Sequence, residues 1–405
     1  MKFSKLSQLF LVSTIGLLVA TLLTACQLVN IDYVFVAGSA GSGSSTGQIA
    51  IFATDATSGA LRTGAKTAPS GGDSPVAMAA SADYANLYVV NQGSSNNVVH
   101  LAIGGNGQLT QKDVVTGIGT PISVAVNAAG TFLYVTSISG SGPILTEFPI
   151  SSAGAIGTAA ETVSLVIPGY TSDTVIPTGV TVLANSGAVY VAAVDQSAYN
   201  PGGTASSTAN PGWVFGYAVG TGGALTPTNG SPYKAGVKPS ALTADPTNRF
   251  LYVTDFAQNQ LIGYSIQSGS TLQFLLNGPF RTGSEPAAIV IDPRGKFIYI
   301  ANALDSTVSA YSIDLSTGTP SAAVNVTGAA SNGTDTQPVA ILVEPALGRF
   351  VYTANHLGNS ISGFRLDPTA GTLTATQATP YPTVSEPSAI VAVPHGNHSL
   401  QSVTP

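Results

Sequence analysis

The stretch Glu285–Gly318, EPAAIVIDPRGKFIYIANALDSTVSAYSIDLSTG, contains the pattern from which the fold can be read. A proline opens a short apolar run that ends in Asp-Pro-Arg-Gly, residues suited to a tight hairpin turn. A second run, FIYI, is apolar on both faces, as expected of a strand whose sheet is covered on each side. A third, TVSAYSI, is built around an aromatic residue and ends in a Ser/Thr/Gly turn. The spacing predicts consecutive short antiparallel strands.

The same pattern recurs along the chain. Tyrosine sits inside an apolar run at Tyr33, Tyr88, Tyr134, Tyr190, Tyr252, Tyr299 and Tyr352, at intervals of 46 to 62 residues. Pro75, Pro121, Pro177, Pro239 and Pro286 each lie thirteen residues before a tyrosine, and Pro338 lies fourteen before Tyr352. Pro387 opens PSAIVAVP with no tyrosine after it, whereas Tyr33 has no proline before it. An aromatic strand follows (Phe52, Phe148, Tyr217, Tyr264, Tyr311 and Phe364, with Leu101 in the second unit), then elements such as Gly59-Ala60-Leu61 and Gly371-Thr372-Leu373. One repeat is therefore four strands, A to D. Repeats of about fifty residues with four strands are propeller blades. The split unit closes the ring if the C-terminal strand joins the N-terminal one, which removes free sheet edges. The expected fold is an all-β, seven-bladed propeller spanning residues 33–394. Two positions after each proline the residue is small (Ala77, Ser123, Gly179, Ala241, Ala288, Ala340, Ala389), and three positions after it is larger and apolar. Tapering of the inner strands toward the axis would place the small side inward.

Composition agrees. The 405 residues include 45 Gly and 25 Pro, only 8% are charged, and the net charge is −6. Coiled coils, disordered tails and nucleic-acid binders need charge that is missing here. Lys2 and Lys5 precede an apolar run to Leu23, and Leu23-Thr24-Ala25-Cys26 reads as a lipobox. Residues 1–25 are expected to be a lipoprotein signal, Cys26 the lipidated residue, residues 26–32 a linker and residues 395–405 a tail. The only cysteine of the chain occupies the acylation position. The expected location is the bacterial cell envelope, extracytoplasmic, with the lipid as the membrane partner; Gln27 leans toward an outer membrane.

These units resemble the seven-bladed propeller lactonase family, with its 6-phosphogluconolactonase-like and muconate-cycloisomerase-like members, and the YVTN surface-repeat propellers. The resemblance implies a propeller with a site at the mouth of its central channel. In enzymatic members the blade-opening proline is followed by Arg-His and the Tyr-Val-x-Asn strand by Glu-Leu. Here the prolines are followed by Val76-Ala77, Ile122-Ser123, Thr178-Gly179, Ser240-Ala241, Ala287-Ala288, Val339-Ala340 and Ser388-Ala389. Gln92, Ile138, Phe256, Ala303 and His356 stand where the glutamate is expected. Lactone hydrolysis needs a group that activates water and one that stabilises the oxyanion, and the family's groups for both are replaced.

Residues before each proline and after each tyrosine strand share one face. On it, Lys238, Asp255, Asn302, Asn355 and Gln337 are candidate ligand contacts, and His356, Glu285 and Glu386 are candidate catalytic groups. The 192–212 insertion, with Tyr199 and leading to Trp213, is expected to overhang that face. Gly43-Ser44-Ser45-Thr46-Gly47 fits the nucleophile-elbow pattern but lacks a strand-to-helix context. No phosphate loop, dinucleotide fingerprint or metal motif is present, so no cofactor and no metal are expected. His100 reads as structural, and His395 and His398 as tail residues without a role. The leading expectation is a binding module for a small molecule, carbohydrate or protein. The alternatives are a lactone hydrolase with a rearranged site and a structural envelope protein.

Overall fold

The computed structural model describes residues 29–39, 46–168, 175–196, 211–324 and 331–395. They form seven antiparallel sheets in a ring, each ordered A-B-C-D from the axis outward. Blade 1 takes strand A from Pro387–Pro394 and strands B to D from Asn30–Gly38, Gln48–Asp55 and Leu61–Pro69. The C-terminal strand pairs with the N-terminal one from Asp32↔Pro394 to Gly38↔Pro387, so the ring closes as the sequence predicts. Strands A and B of blades 2 to 7 are Ser74–Ala80 and Asn86–Gln92, Thr120–Val126 and Phe132–Ser139, Val175–Val182 and Ala188–Asp195, Pro239–Ala244 and Phe250–Asp255, Pro286–Ile291 and Phe297–Asn302, and Pro338–Val343 and Phe350–Asn355. The signal segment, Cys26, Tyr199 and His398 lie outside the described residues.

The A–B turns explain the recurring acid-Pro motif. Asp292 Oδ1 accepts the backbone N–H groups of Lys296 (2.7 Å) and Phe297 (2.8 Å), while Gly295 takes φ 67°. Asp245 and Glu344 do the same for Phe250 and Arg349. Each acid is fully buried and supplies the acceptor that the chain reversal leaves missing.

The strand-B tyrosines bridge blades. Hydroxyls of Tyr88, Tyr190, Tyr252, Tyr299 and Tyr352 donate to the carbonyls of Gly154, Ser270, Gly318, Gly371 and Gly59, each in the C–D turn of the following blade, at 2.6 to 2.9 Å. The strand-C residue opposite the tyrosine is Ala53, Gly216, Gly263, Ala310 or Gly363 in five blades. A Cβ on Gly363 would sit 3.0 Å from the Tyr352 ring. Blades 2 and 3 break this rule with His100 and Glu147. His100 is buried, stacks on Tyr88, and faces Asp113 Oδ2 (2.9 Å) and Asn86 Oδ1 (2.7 Å) through its two ring nitrogens.

One expectation is corrected. The small residues after the prolines face the next blade rather than the axis. Ala77 shares an apolar cluster with Val124, Ala288 with Ile341, Ala340 with Ile390 and Ala389 with Met78. A Cβ on Gly179 would lie 2.9 Å from Leu242 Cδ2. Side chains of a radial strand alternate between the two faces of its sheet, so the alternation is a socket on one blade and a knob on the next.

Glu147 is fully buried, and among the described residues neither carboxylate oxygen has a hydrogen-bond partner. Burial, offset in part by the Tyr134 phenol alongside and reinforced by Glu161, pushes its pKa up from 4.5 to about 7. The folded state therefore holds a proton that the unfolded chain releases, so stability falls as pH rises from about 4.5 through 7 and levels off above. Glu147→Gln is expected to gain roughly 2 kcal/mol over wild type at pH 8 and much less at pH 5. Urea unfolding of both proteins at the two pH values measures this, and parallel shifts at both would refute it.

Candidate functional site: the channel rim

Every strand A carries a β-bulge immediately after its proline. Pro286 pairs with Asn302 and Ala288 with Ala301, leaving Ala287 as the extra residue. The same slip occurs after Pro75, Pro121, Pro177, Pro239, Pro338 and Pro387. A bulge re-aims the strand where it meets the channel mouth. In this chain the bulged residues carry no charge: Val76, Ile122, Thr178, Ser240, Ala287, Val339 and Ser388.

Four of the proline carbonyls beside these bulges are bound by the preceding blade. Ser240 Oγ donates to Pro286 O, Ser388 Oγ to Pro75 O, Gln92 Nε2 to Pro121 O (2.8 Å) and His356 Nδ1 to Pro387 O (3.3 Å). Gln92 and His356 occupy equivalent positions, one residue past the strand-B asparagine. Among the described residues no carboxylate oxygen lies within 4.0 Å of a His356 ring nitrogen. The imidazole is thus a blade-to-blade clasp.

Asp255, Asn302 and Asn355 are fully buried under the D–A loops. Asp255 accepts the N–H groups of Val237 (2.8 Å) and Lys238 (3.0 Å). Asn302 donates to Thr307 and Ser309, and Asn355 to Ser360 and Ser362. Their side chains hold their own blades together. Lys238 is half-buried, with its ammonium 4.3 Å from the centre of the Phe256 ring.

Glu285, Gln337 and Glu386 remain on the rim, in consecutive blades 6, 7 and 1. All three adopt left-handed backbone, at φ 53°, 59° and 46°. The residue before a proline is normally extended, so this conformation is strained, by about 1–3 kcal/mol each. It is held by the preceding B–C turn: Asn259 Oδ1 accepts Glu285 N–H (2.8 Å), Ser306 Oγ accepts Gln337 N–H (3.3 Å) and Asn359 Oδ1 accepts Glu386 N–H (2.7 Å). Ser39 Oγ donates to Glu386 Oε2 at 2.8 Å. The side chains of Glu285 and Gln337 have no hydrogen-bond partner among the described residues. Strained backbone that presents unengaged polar side chains is a feature of binding sites. A sequence signal was available: these three loops alone read Thr-x-Ser/Thr-Glu/Gln-Pro, at Thr282–Pro286, Thr334–Pro338 and Thr383–Pro387.

With fold and rim in place, comparison becomes informative. Residues 34–214 and 225–398 match the family described as lactonase, 7-bladed β-propeller. The chain belongs to that family. Its fold is similar to the periplasmic gluconolactonase of Pseudomonas aeruginosa, with a TM-score of 0.72 and 17% identity over 90% of this chain and 100% of that one. A protein from Lactobacillus plantarum gives a TM-score of 0.71 at 18% identity, over 90% and 99%. No curated protein sequence matches.

Two outcomes are expected. His356→Gln should keep the unfolding free energy within about 0.5 kcal/mol, because Gln92 makes the same clasp, whereas His356→Ala should lose about 1 kcal/mol. Equal losses in urea unfolding would contradict the clasp. Glu285→Gly relieves the left-handed strain and should raise stability by up to about 1 kcal/mol; a loss of stability would show that the carboxylate supports the fold.

Proposed function

We propose that this lactonase-family propeller is an extracytoplasmic, lipid-anchored binding module whose rim, built from Glu285, Gln337 and Glu386, holds a polyhydroxylated ligand such as a carbohydrate. The observation that carries this reading is the arc of three strained polar residues on consecutive blades, two of them with unengaged side chains. Carboxylate and amide oxygens accept from sugar hydroxyls. Lys238 in the neighbouring blade 5 adds a cation to the same face. The lipobox ending at Cys26 supports the anchor, and the periplasmic location of the Pseudomonas aeruginosa relative supports an extracytoplasmic site.

Family membership favours a second reading, lactone hydrolysis, with His356, Glu285 and Glu386 as a rearranged base and acids. Against it stand the uncharged bulges and the engagement of His356 with Pro387. Titration of the full chain with saccharides, alongside assays of sugar-lactone turnover, separates the two. Saturable saccharide binding that Glu285→Gly and Gln337→Gly each weaken at least tenfold is expected, with lactone turnover at the uncatalysed rate. Turnover above that rate, abolished by His356→Gln, would replace the binding reading with the hydrolytic one.

A further inference from the structure

Radially outward of Glu285, the loop entering blade 6 and the B–C turn of blade 5 enclose a cavity of about 230 Å³. Its lining is polar and includes Gln258, Gln260, Arg281, Thr282, Ser284 and Asp305. We propose that this cavity is a subsite for an acidic saccharide, with Arg281 pairing with the carboxylate of a uronic acid ring.

Arg281 is built in from its backbone. It pairs with Gln260 across the strand, and its carbonyl accepts the Tyr311 hydroxyl of blade 6 at 2.7 Å. Its side chain is exposed, and its guanidinium has neither an ion pair nor a hydrogen bond among the described residues. A guanidinium presents two parallel donors that match a carboxylate. Around it the chain arranges groups for hydroxyls. Gln260 Nε2 donates to the buried Asp255 Oδ2 (3.1 Å), which leaves Gln260 Oε1 as an acceptor. Asp305 Oδ2 accepts the Ser284 N–H at 2.6 Å, and its other oxygen can take a hydroxyl donor. Gly283 permits this arrangement, because a Cβ there would lie 2.6 Å from Asn302 Cγ and 2.8 Å from Asp305 Oδ2.

The charge pattern selects the ligand. One guanidinium beside one carboxylate suits a sugar ring that carries a single carboxylate and several hydroxyl donors, any second ring lying outside the cavity. A dianionic phosphate would meet repulsion from Asp305, and a neutral sugar would leave the guanidinium unpaired. The volume lies below that of sites for drug-sized ligands and suits a single sugar ring. At the positions equivalent to Arg281, blades 4, 6 and 7 have Lys234, Gly333 and Pro382; the Lys234 ammonium lies 3.5 Å from the centre of the Trp213 ring, so of these four blades only blade 5 presents a guanidinium there. Its lining excludes Glu285, Gln337 and Glu386, and the inference stands whether or not the rim binds a ligand.

Calorimetric titration of the full chain with digalacturonate, its dimethyl ester and inorganic phosphate tests the assignment. Digalacturonate is expected to bind at least tenfold more tightly than the ester. In Arg281→Gln that preference should fall within twofold, with an unchanged unfolding midpoint. Equal affinity for acid and ester, no detectable binding, or an Arg281→Gln variant that binds like wild type would overturn the proposal. Phosphate binding tighter than digalacturonate and lost in Arg281→Gln would also overturn it, by making the cavity a phosphate site.

Discussion

The ring depends on the hydrogen bonds that the strand-B tyrosines of blades 2, 4, 5, 6 and 7 donate to a turn carbonyl in the next blade. Apolar packing between blades is strong but non-directional, and a stack of flat sheets held by it alone could slip. The phenol fixes radial position and height together, since its ring fills the sheet interface while its hydroxyl must meet one carbonyl. The same contact dictates sequence elsewhere: a strand-C residue without bulk opposite the ring, and a turn whose carbonyl points backward. Blades 2 and 3 place His100 and Glu147 at the strand-C position, and the rule then gives way to buried titratable groups. Buried Glu147, its carboxyl pushed up by desolvation, ties the stability of blade 3 to pH.

Much of the fold was legible because the repeated contacts demand repeated residues. The strand-B tyrosine and the blade-opening proline recur around the ring, and the acid-Pro turn recurs in blades 5, 6 and 7, so their spacing reports the architecture. The alternation of small and large residues after the prolines was equally visible but easy to misread. Period-two patterns show that two faces differ without showing what each face meets, and here both meet neighbouring blades.

The site was less legible. Asp255, Asn302 and Asn355 lie at the correct end of their strands, yet polar residues at strand ends are needed to satisfy loop backbones, and burial decides between that duty and ligand contact. His356 stood out as an imidazole in a chain with few ionisable groups, but its counterpart Gln92 shows the position needs only a donor. Glu285, Gln337 and Glu386 share the Thr-x-Ser/Thr-Glu/Gln-Pro loop in sequence, but what that loop does shows only in the backbone, since nothing in a residue name reveals a left-handed φ before proline. Arg281 went unmarked because its cavity is assembled from two loops distant in sequence.

Ring closure has a geometric corollary. Strand B of blade 1 begins at Asn30, beside Pro394, and ends at Gly38, beside Pro387 and the rim. The polypeptide therefore enters the ring on the face opposite Glu285, Gln337 and Glu386. Three residues lie between Cys26 and Asn30, and these four Cα–Cα steps span at most about 14 Å when fully extended. A lipid at Cys26, as proposed, would seat the propeller with its A–B turns toward the bilayer and its rim turned outward, and such an anchor would set the molecule's polarity as well as its address.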